Sequence, residues 1–192
     1  MSYYPYLGAQ LPYLVYGQDP PMSSETFKAL ATVLMIPRDA TLLNDCTLDP
    51  DPPKEEKTGA SYAEPAPPTS SEMINRWKDW ERSLRLNLAK NRAGKLKRDA
   101  GSAIEAPAVP LDAAVAAKNA MSIDSPLEAE LFLGKARWDA IESFQGLNIF
   151  HENAMYAYLL KLLLMERRAA FKTEEGYTEY KGLYAAILGE PK

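Results

Sequence analysis

Residues 125–171 read SPLEAELFLGKARWDAIESFQGLNIFHENAMYAYLLKLLLMERRAAF, and the fold turns on this stretch. It predicts two long helices joined at Gln145-Gly146. Asp124 or Ser125 can cap the first, Pro126 suits the first helical position, and Glu128 falls in the first turn. Leu127, Leu131, Trp138, Ile141 and Phe144 recur at spacings of three and four or their sums, which puts them on one face. Gly146 is a stop, and the second helix restarts near His151, with Phe150 and Met155 spaced as a hydrophobic staple around a His151 cap. From Met155 to Met165 the apolar residues go nearly all round, broken by Lys161. A helix apolar on most sides belongs at the centre of a bundle. The expected fold class is therefore all-α. If the two helices fold back about Gly146, Glu130 comes opposite Glu166 and Arg167, and Glu130–Arg167 is a candidate pair.

A second helical stretch, from Ser71 to Asp99, reads SEMINRWKDWERSLRLNLAKNRAGKLKRD. Ser70 or Ser71 caps it, and Met73, Trp77, Trp80, Leu84 and Leu88 form a stripe at helical spacing. From Glu72 to Asp99 there are nine Lys or Arg against four Asp or Glu. The basic residues, among them Arg82, Arg85 and Arg92, crowd the C-terminal half, where they complement the helix dipole. Trp77, Trp80, Leu84, Leu131, Trp138, Leu159 and Leu163 are the expected structural core. Charged residues inside apolar runs need partners when buried. Glu81, Glu130 and Lys161 are in that position, although Lys161 can instead run its stem along apolar surface and keep its charge in water.

Working outward, the chain divides into residues 1–47, an N-terminal arm and short helices packed on the bundle; 48–70, a proline-rich linker; and 71–192, the helical bundle. The opening MSYYPYLGAQLPYLVYGQDPPM places five tyrosines among prolines and glycines. That mixture predicts an extended arm with a strand-like run at Tyr13–Tyr16. Ser23 or Ser24 caps a first helix that Pro37 ends, and a short second helix follows over 38–44. Residues 48–70 carry few large apolar side chains and cannot offset their ordering entropy. Residues 100–110 form a loop, Asp112 caps a short helix over 113–120, and a last helix is expected over 173–188.

The totals narrow the function. The chain has 192 residues and a formal net charge of −4, which argues against a generic nucleic-acid binder. A lone cysteine, Cys46, allows no intrachain disulfide or thiol-based metal framework. The longest apolar run is far shorter than a membrane span of about 20 residues, and no secretory signal is recognisable. A soluble, cytoplasmic protein without membrane insertion is expected. The only histidine is His151, and no metal-ligand spacing, nucleophile motif or phosphate-cradling glycine loop is present. Neither catalytic activity nor a cofactor nor a small-molecule substrate is expected. The residues left for function are surface ones: Tyr3, Tyr4, Tyr6, Tyr13 and Tyr16 on the arm, and Arg82, Arg85 and Arg92 on the basic helix. Both sets fit partner binding, and both also fit packing or solvation.

Three segments carry a resemblance. The Tyr-rich start ending in Leu11-Pro12, the pattern Trp-x-x-Trp-Glu-x-x-Leu-Arg at Trp77–Arg85, and the run Tyr-Leu-Leu-Lys-Leu at Tyr158–Leu162 together resemble an uncharacterised bacterial family encoded among V-type (archaeal-type) ATPase subunits. Pro5 and Gly8 interrupt the smoother Tyr-rich opening that the family implies. The arm and helices are also loosely similar to the V-type ATPase subunit that joins the central stalk to the membrane ring. The resemblance implies a non-catalytic helical subunit or assembly factor acting by protein–protein docking, peripheral to the membrane through the ATPase. The alternative is a nucleic-acid-associated protein using the basic helix 82–98, for which no recognition motif is present.

Overall fold

Side-chain caps start four helices in the computed structural model, which describes residues 2–50, 67–96 and 106–171. Ser23 caps α2 (Ser24–Leu34), Ser71 caps α4 (Glu72–Lys95) and Ser125 caps α6 (Pro126–Gln145), each Oγ accepting a first-turn backbone N–H. The His151 Nδ1 does the same for α7 (Glu152–Ala169), taking the Asn153 N–H at 3.2 Å. Three short helices complete the described residues: α1 (Pro5–Gln10), α3 (Pro37–Leu42) and α5 (Leu111–Ala120). The chain is all-α, with no strand among the described residues and one isolated bridge between Tyr3 and His151. Gly146 ends α6 with φ +78°, a conformation that only glycine adopts freely.

Helices α6 and α7 fold back on each other, and α4 packs across them with α5 along its other side. The Trp77 and Trp80 indoles stack at 6.0 Å between centroids. Each is buried, and each N–H finds an acceptor, the Thr47 carbonyl at 2.9 Å for Trp77 and Asp112 Oδ2 at 2.8 Å for Trp80. Asp112 was expected to cap α5. It ties α5 to α4 instead, and Pro110 takes the cap position without a side-chain bond. Ala113, Ala116, Ala117 and Ala120 form the buried face of α5, small enough to let the helix backbone lie close to its neighbours.

Residues 1–22 depart from the extended arm. Pro5–Gln10 is a helix, because Pro5 occupies its first turn, where a missing N–H costs nothing. Tyr13–Val15 runs over the bundle without strand pairing. The arm begins against α7: Ser2 N donates to Glu152 Oε2 at 2.7 Å and Tyr4 N to the Phe150 carbonyl at 2.7 Å. Farther on, Tyr16 OH donates to the Leu131 carbonyl at 2.8 Å. It passes so close to α6 that a side chain at Gly134 would meet its oxygen. The ends of the expected linker are built into the fold. Leu48 O accepts from Arg85, Pro50 is buried, and Thr69 N bonds to Asn75 Oδ1. The middle of the linker, the last basic residues Lys97 and Arg98, and the helix expected over 173–188 lie outside the described residues.

Trp77, Trp80, Leu84, Trp138 and Leu159 are buried. Leu131 and Leu163 are partly buried, less enclosed than the other five, and Leu163 packs against the core. The inward face of α6 is Leu133, Arg137, Ala140 and Ile141, with Trp138 at its edge. Leu131 lies nearly half a turn and Leu127 about a third of a turn away from Leu133, and the arm covers Leu131 in part through Tyr16. Leu163 shares a side of α7 with the buried Tyr156 and Leu159. It lies nearer the end of the helix, where Ala169 and Ala170 are exposed.

Asp39 fastens this corner of the molecule. Its Oδ2 accepts from Tyr4 OH at 2.6 Å, its Oδ1 from Arg38 Nε at 2.9 Å, and its backbone carbonyl from Tyr156 OH at 3.4 Å. Burial alone would push its carboxyl up, but hydrogen bonds from Tyr4, Ser2 and Arg38 outweigh that and hold it below the usual value. A lowered carboxylate contributes stability above its unfolded pKa and loses it as pH falls through the folded value. Asp39→Asn is therefore expected to flatten the decline of unfolding free energy below about pH 4, measured by urea melts across the acid range. In the core, Leu159→Ala should cost about 2–5 kcal/mol, and Leu163→Ala clearly less, because less apolar surface is lost. Equal shifts of the denaturation midpoint would contradict this difference in burial.

Candidate functional site

The most elaborate chemistry among the described residues is a line of ion pairs through the bundle. Glu81 on α4 is fully buried, and Arg137 on α6 nearly so. Arg137 grips Glu81 with two parallel bonds, Nε to Oε2 at 2.9 Å and Nη2 to Oε1 at 3.1 Å. Arg85 Nε adds a third at 2.9 Å. Arg85 also reaches Asp49 Oδ1 at 2.9 Å and the Leu48 carbonyl at 2.8 Å. On the other side, Glu130 Oε1 takes Arg137 Nη1 at 3.4 Å and Arg167 Nη2 at 2.8 Å. The Glu130–Arg167 pair read from the fold-back geometry is present. Arg137 was not foreseen, since a charged residue in the inward stripe of α6 hides that stripe from a periodicity count. The only available signal was Glu81 itself, a carboxylate beside Trp80 that had to find a cation.

The expected basic face is dispersed. Each guanidinium nitrogen of Arg85 makes a bond inside the chain, and Arg82 bonds to Asp79 at 2.8 Å. Arg92 is exposed. The arm tyrosines separate as well. Tyr4 is buried against Asp39, and Tyr16 packs edge-on to Trp138 at 5.5 Å. Tyr3 meets the His151 ring edge-on at 5.5 Å. Tyr6 and Tyr13 stand out in solvent. These eight residues do not form one surface.

What the arm does form is a cavity of about 340 Å³ between Leu11–Leu14, the turn after α6 and the first half of α7. Its walls include Leu11, Leu14, Ile149, Met155 and Tyr158. Tyr158 OH donates to the Pro12 carbonyl at 3.0 Å, and burial pushes its phenol up to about 12, so it stays a protonated donor near neutral pH. One end is polar. Lys161 Nζ bonds to Glu142 Oε1 at 3.2 Å and lies 5.0 Å over the Trp138 ring. Its charge crosses to α6 rather than running out alone to water. The rim is apolar and open: Tyr13 is 89% exposed and Ile149 60%, and neighbouring Leu147 is 103% exposed.

Other candidate groups are built for structure. Cys46 is buried, its Sγ 3.6 Å from the Leu42 carbonyl, and burial pushes the thiol far up, away from the reactive thiolate. His151 is a helix cap. No three His, Cys, Asp or Glu side chains converge as a metal-holding group among the described residues, and no described helix is long and apolar enough to cross a membrane.

Arg137→Ala would leave Glu81 buried without its main partner, and a loss of about 3–5 kcal/mol is expected. Glu81→Leu combined with Arg137→Met removes both charges, and most of that loss should return. A double variant no more stable than Arg137→Ala would show that the pair contributes more than charge compensation.

Compared with protein-family models, with characterised proteins and with solved structures, the chain has no match.

Proposed function

We propose that this chain is a non-catalytic docking protein, a subunit or assembly factor of a bacterial V-type ATPase, and that it engages its partner through the arm end of the bundle. The observation that carries docking is the open apolar rim at Tyr13 and Ile149 around a cavity of about 340 Å³, with the exposed Leu147 close by in sequence. Large apolar side chains standing together around a recess mark an interaction surface, and aromatic residues are favoured as interface anchors. The bundle beneath is stiff: the arm is bonded to α7 at Ser2 and Tyr4 and to α6 at Tyr16. A rigid platform presenting the rim spares a partner the ordering cost that a mobile arm would impose. The V-type ATPase as partner comes from the resemblance carried by the Tyr-rich start, Trp77–Arg85 and Tyr158–Leu162. The nucleic-acid alternative draws less support, because Arg85, in the middle of the basic helix, is committed to Glu81 and Asp49.

The test is an affinity pull-down of the tagged protein from its native host after nuclease treatment, with mass spectrometry of the retained proteins. ATPase subunits are expected to be enriched over an untagged control. The double variant Tyr13→Ser, Ile149→Ser should lose that enrichment while keeping the wild-type denaturation midpoint. ATPase subunits no more abundant than in the control, from a preparation in which the ATPase stays assembled, would remove the ATPase from the proposal. Retention that disappears with nuclease would favour nucleic acid.

A further inference from the structure

A second cavity, of about 310 Å³, opens between α4, α6 and α7. Arg85, Arg92, Arg137 and Arg167 line it, and Glu130 is the only carboxylate in its wall. Four guanidinium groups from three helices thus surround one recess. Their donors are unevenly used. Arg137 holds Glu81 with two bonds and reaches Glu130 only at a long 3.4 Å. Arg167 gives one Nη to Glu130. The Arg92 side chain has neither an acidic partner nor a hydrogen bond among the described residues, although it stands in the same wall. The three acids of the network, Asp49, Glu81 and Glu130, balance three of the arginines, and the charge of Arg92 is left over. The network itself positions this surplus, since the Glu81–Arg137 pair forms a rigid floor.

A smaller cavity of about 190 Å³ shares Leu88, Arg92, Glu130 and Leu133 with the first. Its other walls are apolar at Ala120, Met121, Ile123, Pro126 and Ala129 and charged at Lys95 and Asp124, one of each sign. The two recesses make one trough, with the arginines at one end, a mixed wall of apolar side chains and the oppositely charged Lys95 and Asp124 at the other, and Arg92 at the junction.

We propose that this trough binds a small organic phosphate, its phosphate between Arg92 and Arg167 and its body over Leu88, Leu133 and Met121. The choice of phosphate follows from donor count. A carboxylate has two oxygens and is matched by one planar fork, whereas a phosphate offers three or more and draws on several forks at once. The recess lies between helices with a nearly buried arginine as its floor, which suits a small ligand rather than a broad macromolecular face. Glu130 is already held by Arg167 and can accept a hydroxyl of the ligand. The sequence pointed to no small-molecule ligand because the four arginines come from three helices far apart in the chain.

The test is isothermal titration calorimetry of the full chain with inorganic phosphate and with phenyl phosphate at constant ionic strength. Saturable one-to-one binding of both is expected, with phenyl phosphate tighter than inorganic phosphate because its ring lies over the apolar side chains of the trough. Arg92→Gln removes a solvent-exposed side chain and should weaken binding about tenfold, the worth of a charge-assisted contact. Arg167→Gln should do the same, and Lys118→Gln, on exposed α5 surface, should leave affinity unchanged. No saturable binding, an unaltered affinity in Arg92→Gln, or an equal loss in Lys118→Gln would overturn the proposal. The Tyr13→Ser, Ile149→Ser variant should bind phenyl phosphate like wild type, which separates this site from the docking rim.

Discussion

A buried carboxylate sets the terms for this fold. Glu81 has no access to water, and an ionised group in that position is tolerated only when its charge and lone pairs are answered. Arg137 answers it from α6, and Arg85 from one turn farther along α4. Arg137 can reach only if α6 crosses α4 at one height and one rotation. A shift of one residue along either helix turns the side chain by about 100° and breaks both parallel bonds. The apolar residues around it tolerate such slips far better, because leucine packs against leucine in many registers. The pair therefore selects among packings that the hydrophobic effect alone would leave nearly equal, and the pairs to Asp49, Glu130 and Arg167 extend that selection to residues 48–50 and to α7.

Much of this architecture was legible in the chain. Ser71 and Ser125 capped where their positions implied, Gly146 turned the hairpin, and folding back about it brought Glu130 to Arg167. Local rules succeeded because caps, stops and antiparallel pairing depend on nearby residues. The failures share a cause. The inward face of α6 contains Arg137, so a search for apolar spacing settled on Leu127 and Leu131 instead. Asp112 looked like a cap until a tryptophan from another helix claimed it. Pro5 and Gly8 read as helix breakers, yet Pro5 falls in the first turn, where proline is harmless. In each case a tertiary partner or an exact position decided the outcome, and neither is visible in a window of sequence.

The candidate sites follow the same division. The arm tyrosines were visible as a group, but their roles diverge once the fold is known. Tyr4 and Tyr16 spend their hydroxyls inside the chain, and Tyr13 keeps its ring outside. The basic residues of α4 diverge likewise, with Arg85 consumed by structure and Arg92 left over. Composition marks where unusual chemistry lies, and packing decides which members of a cluster remain free to use it.

The attachment of the arm has a consequence for how the molecule is made. Ser2 and Tyr4 bond to Phe150 and Glu152, almost the full length of the described chain away. During synthesis the arm leaves the ribosome 150 residues ahead of its seat. Loop closure over such a span is slow relative to local helix formation, so α2 and α4 can fold while the arm still waits. Until α6 and α7 arrive, arm side chains that the finished fold buries, among them Tyr4 and Leu14, are incompletely covered on the nascent chain, a period in which chaperones or a partner can take hold of them. Completion of the fold then withdraws those side chains from competing encounters and leaves Tyr6 and Tyr13 as the part of the arm still on offer.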